Sequence, residues 1–444
     1  MNKAINLSNF FLGGIADSKY TGIANSMASL QGFDLHGEPG VLRVNQKLVK
    51  ESGATIDDFV SKILPVSDGK SYLFGKTTGK IWSRTSSGVY TLEATDANGG
   101  ILNAEESDGY IYYATASKLG RWSIGSAWGT RNDNFATFTN ANALYHPMKN
   151  KNLVLYIGDG YLVAQVDAGV FTANALDLEK KYIIKSLGEI SNDLIIGTTI
   201  QSALNECKIF RWNTYSVSFT NDDSVPENGI NCFLPIDNAV IVQAGSRGNI
   251  YSYNGEQLVQ FKRMPGVWTN TNEFNVWSEA KALYQGLPLF GVSNGSGNPA
   301  LQGVYSFGSY ANNYPKVLNL EYIISQNKTS NIDITAIAVA GGDILVAWKD
   351  GATYGVDKVD WSNKYTAAKL ETRMLNMDRA FNKDFEVKIG YRTKPVNTNI
   401  TLEANINNAG YTAVTLIDDA LRFQMRSANR ISGAVSVQFR LSVT

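Results

Sequence analysis

The sequence predicts an all-β protein: a β-propeller of about seven blades (six to eight), with an extended N-terminal arm before it and a C-terminal β-sandwich after it. Three observations lead there. A pair of strand-like segments recurs along the chain. The composition is rich in glycine and aromatics but poor in charge, with 40 Gly, 22 Tyr and only 18% charged residues among 444, which suits many short strands joined by tight turns. Helical periodicity is weak, and only short pieces such as Ile56 to Ile63 could form an amphipathic turn or two. Hydrophobic residues at 44% are enough for a sizeable core and exclude wholesale disorder.

Each repeat runs polar turn, apolar segment, glycine turn, aromatic strand. The first copy is Ser67-Asp68-Gly69, SYLFG, then Gly79 and KIWS with Trp82. The second is Ser107-Asp108-Gly109, YIYYA, then Gly120 and RWS with Trp122. The third joins Lys151-Asn152 and LVLYIG to Asp159-Gly160 and YLVAQV, and the fourth joins Asn192-Asp193 and LIIGT to CKIFRW from Cys207. The last three are built on AVIVQAG with NIYSY, LPLFGV with GVYSFG, and ILVAW with ATYGV. The spacing of roughly 40 to 55 residues is that of four-stranded propeller blades. A lone blade cannot bury its apolar faces; radial stacking does so and leaves only short edges. The near-continuous apolar runs read as inner strands covered on both faces, and the alternating aromatic segments as outer strands.

The expected boundaries are residues 1–50 for the arm and a closing strand, 51–376 for the propeller and 377–444 for the sandwich. In the first part, Glu38-Pro39-Gly40 signals a turn, and Val41 to Val49 reads as a strand that pairs into the last blade and closes the ring. The preceding arm has no partner in its own sequence. Its apolar residues Phe10, Phe11, Leu12, Tyr20 and Phe33 are candidate protein-interaction residues, because such a segment is poorly solvated alone. In the last part, FEVKIGYRT, NITLEANINN, ALRFQMRS and GAVSVQFRLSVT read as sandwich strands.

Charge and rare residues narrow the function. Lys plus Arg and Asp plus Glu are 40 each, so no global field draws the chain to nucleic acid or an acidic membrane. The N-terminus lacks the apolar core of a signal peptide, and no stretch approaches a transmembrane span, so a soluble chain made in the cytoplasm is expected. Cys207 and Cys232 read as buried thiols. Only His36 and His146 are present. That excludes a His-rich zinc site and limits acid–base catalysis.

The catalytic motifs dissolve on inspection. GVSNG at Gly291 to Gly295 matches GxSxG, but no His follows it in the chain, as that fold requires. GKSYLFGKT at Gly69 to Thr77 has the wrong glycine spacing for a phosphate loop and opens no helix. The acidic stretches Glu105-Glu106-Ser107-Asp108 and Asn221-Asp222-Asp223 lack a spaced calcium-ligand series and read as solvated turns. Trp82 and Trp122, at matching repeat positions, read as inter-blade packing rather than sugar platforms. His36 reads as a hydrogen-bonded structural residue. No catalytic residue, cofactor or metal site is assigned.

The opening FFLGGIADSKYTGIANSMASLQGFDLHGEPGVLRVNQKLV resembles that of structural proteins of tailed-bacteriophage virions, where a glycine-containing arm and a Pro-Gly-x-Leu turn lead into a propeller. The segment KYTAAKLETRMLNMDRAFNKDFEVKIGY is similar to the junction into their terminal β-domain. The resemblance implies a non-enzymatic tail or neck component, such as a nozzle-like protein. It would assemble as a homo-oligomeric ring beside portal, adaptor or other tail proteins. Its location would be the virion tail, with DNA passing through a channel without specific binding. A carbohydrate-binding, receptor-recognising propeller is the alternative, and a glycoside hydrolase using two carboxylates a weaker one.

Overall fold

A computed structural model describes residues 12–20, 22, 25–37, 42–53, 55–201, 205–265, 274–294, 301–309, 316–326, 332–376, 383–390, 400–419 and 424–443. The chain divides into two compact units: residues 48–304 with 324–359, and residues 1–47 with 305–323 and 360–444.

The first of these holds the propeller except for the outer strands of blade 6, Gly303–Gly308 and Val317–Tyr322. Blade 1 consists of Val60–Pro65, Ser71–Gly75, Lys80–Arg84 and Tyr90–Thr95, paired antiparallel in chain order. Blade 2 runs from Asn103–Ser107 to Asn132–Thr137, blade 3 from Met148–Lys151 to Val170–Asp177, blade 4 from Ile183–Ile190 to Asn221–Val225, and blade 5 from Ile230–Ile236 to Leu258–Arg263. In blade 6, Phe274–Asn275 and Lys281–Tyr284 both pair with Leu287–Asn294. Blade 7 begins with Ile332–Ala340, Asp343–Asp350 and Thr353–Lys364, and its fourth strand is Gln46–Lys50. The first strands, taking Lys281–Tyr284 for blade 6, touch in a closed circuit from blade 1 to blade 7 and back, so the propeller has seven blades.

Every repeat copy read from the sequence falls on the second and third strands of one blade. The apolar runs are thus not the axial strands and the aromatic segments not the rim. The first strands carry polar residues toward the axis and the fourth strands alternate with exposed polar residues, so neither shows the apolar run that marks the middle pair. The segment Ile56 to Ile63 forms no helical turn: it enters the first strand of blade 1. Trp128–Thr130 forms a 3-10 turn.

Packing follows the radial logic. One apolar cluster joins Tyr72, Phe74 and Ile81 of blade 1 to Ile111, Tyr113 and Trp122 of blade 2. Trp122 stacks on Trp128 at 4.1 Å. Trp82 lies in the cluster that joins blades 7 and 1. Both indoles are almost fully buried, as the packing reading requires. Further clusters bridge blades 2 and 3, 3 and 4, and 4 and 5. Cys207 and Cys232 are unbridged and buried, and burial pushes both thiols up to about 12.

The closing strand expected over Val41 to Val49 is present as Gln46–Lys50. Beyond it, the Glu51 and Ser52 amides donate to Val356 O at 2.9 and 3.4 Å. Glu51 is then clamped by Arg84 of blade 1, at 2.6 and 2.8 Å from Nε and Nη2. The Tyr90 hydroxyl also donates to Glu51, at 2.9 Å. Arg84 is buried and reaches Asp343 of blade 7 at 3.4 Å. A bidentate, charge-assisted clasp thus ties the closing segment across the junction of the last and first blades.

The second unit contains the expected C-terminal strands, and it is composite. Its main sheet runs Met27–Gln31, Ala368–Thr372, Ser436–Val443, Ile400–Ile406 and Tyr411–Val414. Smaller sheets pair Lys383–Phe385 with Ile431–Ala434, and Lys388–Gly390 with Gln424–Ser427 and Leu416–Asp419. Leu402, Ala404, Val437 and Phe439 form its core with Val387, Ile389, Leu416 and Ile431 against them. The arm, expected to lack a partner in its own chain, has one. Ile15 N donates to Leu318 O at 2.9 Å, Ala16 N to Met27 O at 2.7 Å, and Leu30 pairs with Leu370. Leu318 and Leu370 lie far along the chain from the residues they pair with, so no local pattern could announce them.

Candidate functional site

The polar face of the propeller's first strands builds the strongest candidate site. In four blades this strand carries a bulge toward its start, at Ser61, Lys185, Asn231 and Thr335. A bulge leaves one residue out of the ladder and re-aims its side chain. Ser61, Lys185 and Thr335 line an axial cavity of about 150 Å³, together with Lys76, Asn103, Tyr145, Asn275, Trp277 and Glu279. Leu144, 61% exposed, also lines it.

Charge in the cavity is arranged in pairs. Glu279 is buried, 2.5 Å from Lys62 Nζ, which also lies 3.5 Å from Glu105. Asn103 Nδ2 donates to Glu279 at 3.1 Å. Burial favours the neutral form of both Lys62 and Glu279. The carboxylates of Glu279 and Glu105 outweigh it for Lys62, whose pKa is raised, and the ammonium groups of Lys62 and Lys281 outweigh it for Glu279, whose pKa is lowered. Both members of the pair are therefore ionised. Lys185 donates to Asn231 Oδ1 at 2.7 Å.

Lys76 differs. Its backbone N–H is tied to Phe59 O at 2.7 Å. Its ammonium stands 4.5 Å over the Trp277 ring and 5.3 Å from that of Phe59. Burial lowers its pKa, with Asp333 opposing and Lys349 reinforcing. Asp333 accepts the Trp277 indole N–H at 3.4 Å, and burial raises its carboxyl pKa. The Thr335 hydroxyl is buried without a hydrogen-bond partner.

The expected interaction residues separate. Phe10 and Phe11 lie outside the described residues. Leu12 is half-buried. Tyr20 is 58% exposed, and Asn408 Nδ2 donates to its hydroxyl at 3.3 Å. Phe33 is buried at 2% and pairs with Val44, so it offers no surface.

The remaining motifs are structural in their surroundings. Ser293 of the GVSNG match is buried and accepts the Ile334 N–H at 2.8 Å. The two acidic stretches, expected as solvated turns, supply strands. Glu105 and Glu106 belong to the first strand of blade 2, and Asn221–Asp223 to the last strand of blade 4. There, Asp222 accepts Lys208 and Asp223 accepts the Tyr253 hydroxyl, each at 2.7 Å. His146 stacks on Phe138 at 3.9 Å with its ring nitrogens against the carbonyls of Gly158 and Ala116. In the composite unit His36 is buried, with Nε2 3.0 Å from Ser306 Oγ. Ser306 donates at 2.6 Å to Glu321, which also accepts Asn45 and Asn319 amides. The serine proton thus points at the carboxylate rather than the imidazole, and the network is sealed from solvent. Among the described residues no group of three or more His, Cys, Asp or Glu is placed to hold a metal ion.

No family model and no curated protein matches the chain. Solved propellers do. A catalytically inactive virginiamycin B lyase from Staphylococcus aureus, crystallised with quinupristin, aligns at TM-score 0.52 and 14% identity over 71% of this chain and 99% of its own. The extracellular domain of a hybrid two-component system from B. thetaiotaomicron aligns at 0.50 and 16% identity over 72% of this chain; the chain spans only 40% of that one. At these identities the similarity shows the fold alone.

Proposed function

We propose that the chain is a structural component of a tailed-phage virion, a tail or neck ring or nozzle-like protein that acts by subunit assembly. The observation that carries this reading is the propeller's rim. The outermost strands of blades 1, 3 and 5 turn apolar side chains to solvent, with Leu92, Val170 and Val259 at 49%, 66% and 51% exposure. On a chain without net charge, apolar rim strands favour association with further copies. The resemblance of the opening and of the junction into the terminal domain supports the virion assignment. On this reading the partners are the chain itself and portal, adaptor or other tail proteins. The role is scaffolding within the virion, without catalysis.

Quantitative mass spectrometry of density-purified particles tests the proposal. The chain is expected in the particle at a ring-like copy number relative to the portal. Replacing Leu92, Val170 and Val259 together with serine should abolish incorporation while the circular dichroism of the free chain is unchanged. Absence from particles, or undiminished incorporation of the triple variant, overturns it.

The carbohydrate-binding alternative rests on one observation, the half-buried Trp277 and Tyr145 in the axial cavity. Glycan-array binding that is lost in Trp277→Ala would favour it.

A further inference from the structure

We infer that the axial cavity of the propeller is a binding site for a small oxyanion, a carboxylate or phosphate on a molecule no larger than a monosaccharide. The inference is independent of the assembly reading. Two unsatisfied groups converge there from different blades. The Lys76 ammonium, half-buried in the loop after the second strand of blade 1, makes no hydrogen bond or ion pair among the described residues; it only rides over Trp277 and Phe59. The Thr335 hydroxyl of blade 7 is 2% exposed and likewise unpartnered. A buried hydroxyl left unpaired destabilises a fold, and a desolvated ammonium does so more. The fold retains both in one cavity, and presents the threonine on a bulge.

The ligand's sign follows from the surroundings. Glu279 is already neutralised by Lys62, which also faces Glu105. The remaining charges are Lys185 on the wall, Lys281 acting on Glu279, and the pair Lys349 and Asp333 acting on Lys76. Of the charged groups that line the cavity, Lys76 and Lys185 are cationic and Glu279 is already paired with Lys62, so an oxyanion restores the balance. Lys76 and Thr335 both donate to its oxygens, while the half-buried Asn275 and Ser278 line the cavity within reach of hydroxyl groups on the same molecule. A cavity of about 150 Å³ limits that molecule to roughly one monosaccharide carrying the anionic group.

Calorimetric titration of the full chain tests the inference, with inorganic phosphate, acetate, glucose 6-phosphate and glucose as probes and chloride at matched ionic strength as the control. Saturable binding of phosphate or acetate is expected, glucose 6-phosphate binding more tightly than glucose. The stronger of the two simple anions identifies the oxyanion type. Lys76→Met should weaken the favoured anion about tenfold or more, and Thr335→Val about threefold. Neither side chain holds a hydrogen-bond partner and both are costly to bury, so neither variant should melt below the parent. That separates a binding effect from unfolding. No saturable binding beyond the chloride control, unaltered binding by Lys76→Met, or glucose binding as tight as glucose 6-phosphate overturns the inference.

Discussion

Single residues decide how this propeller responds to pH. Asp96, after the last strand of blade 1, is 4% exposed, and one oxygen accepts the Asn98 amide at 2.6 Å. Its other oxygen has no partner. Burial, with the negative Asp133 nearby, pushes its carboxyl up to about 6. Asp133 is itself committed to the Tyr113 hydroxyl at 2.6 Å and to Arg131 at 2.7 Å. The folded state therefore holds a proton that the unfolded chain has already lost between about pH 4 and pH 6. This contribution is complete at acid pH and declines as pH rises through that window. The loss is about 1–2 kcal/mol once solvent screening is allowed for. Asp96→Asn should remove it. Urea unfolding should then show the variant gaining on the parent by about half that amount at pH 8 relative to pH 5, the other half of the loss lying below pH 5. A parent-minus-variant difference that is constant between these pH values contradicts the assignment. Nothing about Asp96 in sequence suggested this, because Asp133 reaches it only when blade 2 packs on blade 1.

At the scale of elements, the arm depends on one glycine. Gly14 has φ +63°, and a β-carbon there would lie 2.6 Å from Leu318 O and 2.7 Å from Val317 Cβ. Glycine permits both the left-handed backbone and the close approach that lets Ile15 N reach Leu318 O. Gly14→Ala should cost about 2 kcal/mol or more from strain and displacement. The check is hydrogen exchange: protection at Ile15 and Ala16 should fall while the blade 1 to blade 5 amides stay protected. Equal protection in parent and variant would show that the arm's seat tolerates a side chain. The middle hairpins of the blades were legible because their residues are buried on both faces and punctuated by glycine. The axial strands were not, because Ser61, Lys185, Asn231 and Thr335 are polar at bulges, and a bulge breaks the alternation by which a strand is read.

For the whole molecule, the interleaving of the chain matters most. Residues 1–47 belong to the same compact unit as 360–444, and Met27–Gln31 is an edge strand of the sheet completed by Ser436–Val443. Deleting residues 1–35 therefore does more than remove a tether. The truncated chain should retain protection across the propeller, whose ring is closed by Gln46–Lys50 and the Glu51–Arg84 clasp. It should lose protection across Ala368–Thr372 and Ser436–Val443. Native-like exchange in both segments would show that the composite unit stands without its first strand. Because this deletion damages folding, particle incorporation is better probed at the rim residues Leu92, Val170 and Val259.

By itself the amino-acid order determined an all-β chain, the strand pairs at the heart of all seven blades, the strand that closes the ring, the burial of both thiols and of Trp82 and Trp122, and most strands of the C-terminal unit. These are properties of local alternation, glycine placement and side-chain size, which act over a few residues. Tertiary structure alone decided that the arm is a strand of the C-terminal unit, that Phe33 is core rather than surface, and that Glu105 and Glu279 share Lys62. It alone placed Lys76 and Thr335 in one cavity. Each of these joins residues far apart along the chain, and such contacts are selected by the simultaneous burial of many apolar faces and the pairing of charges across blades, quantities that no short stretch of sequence carries.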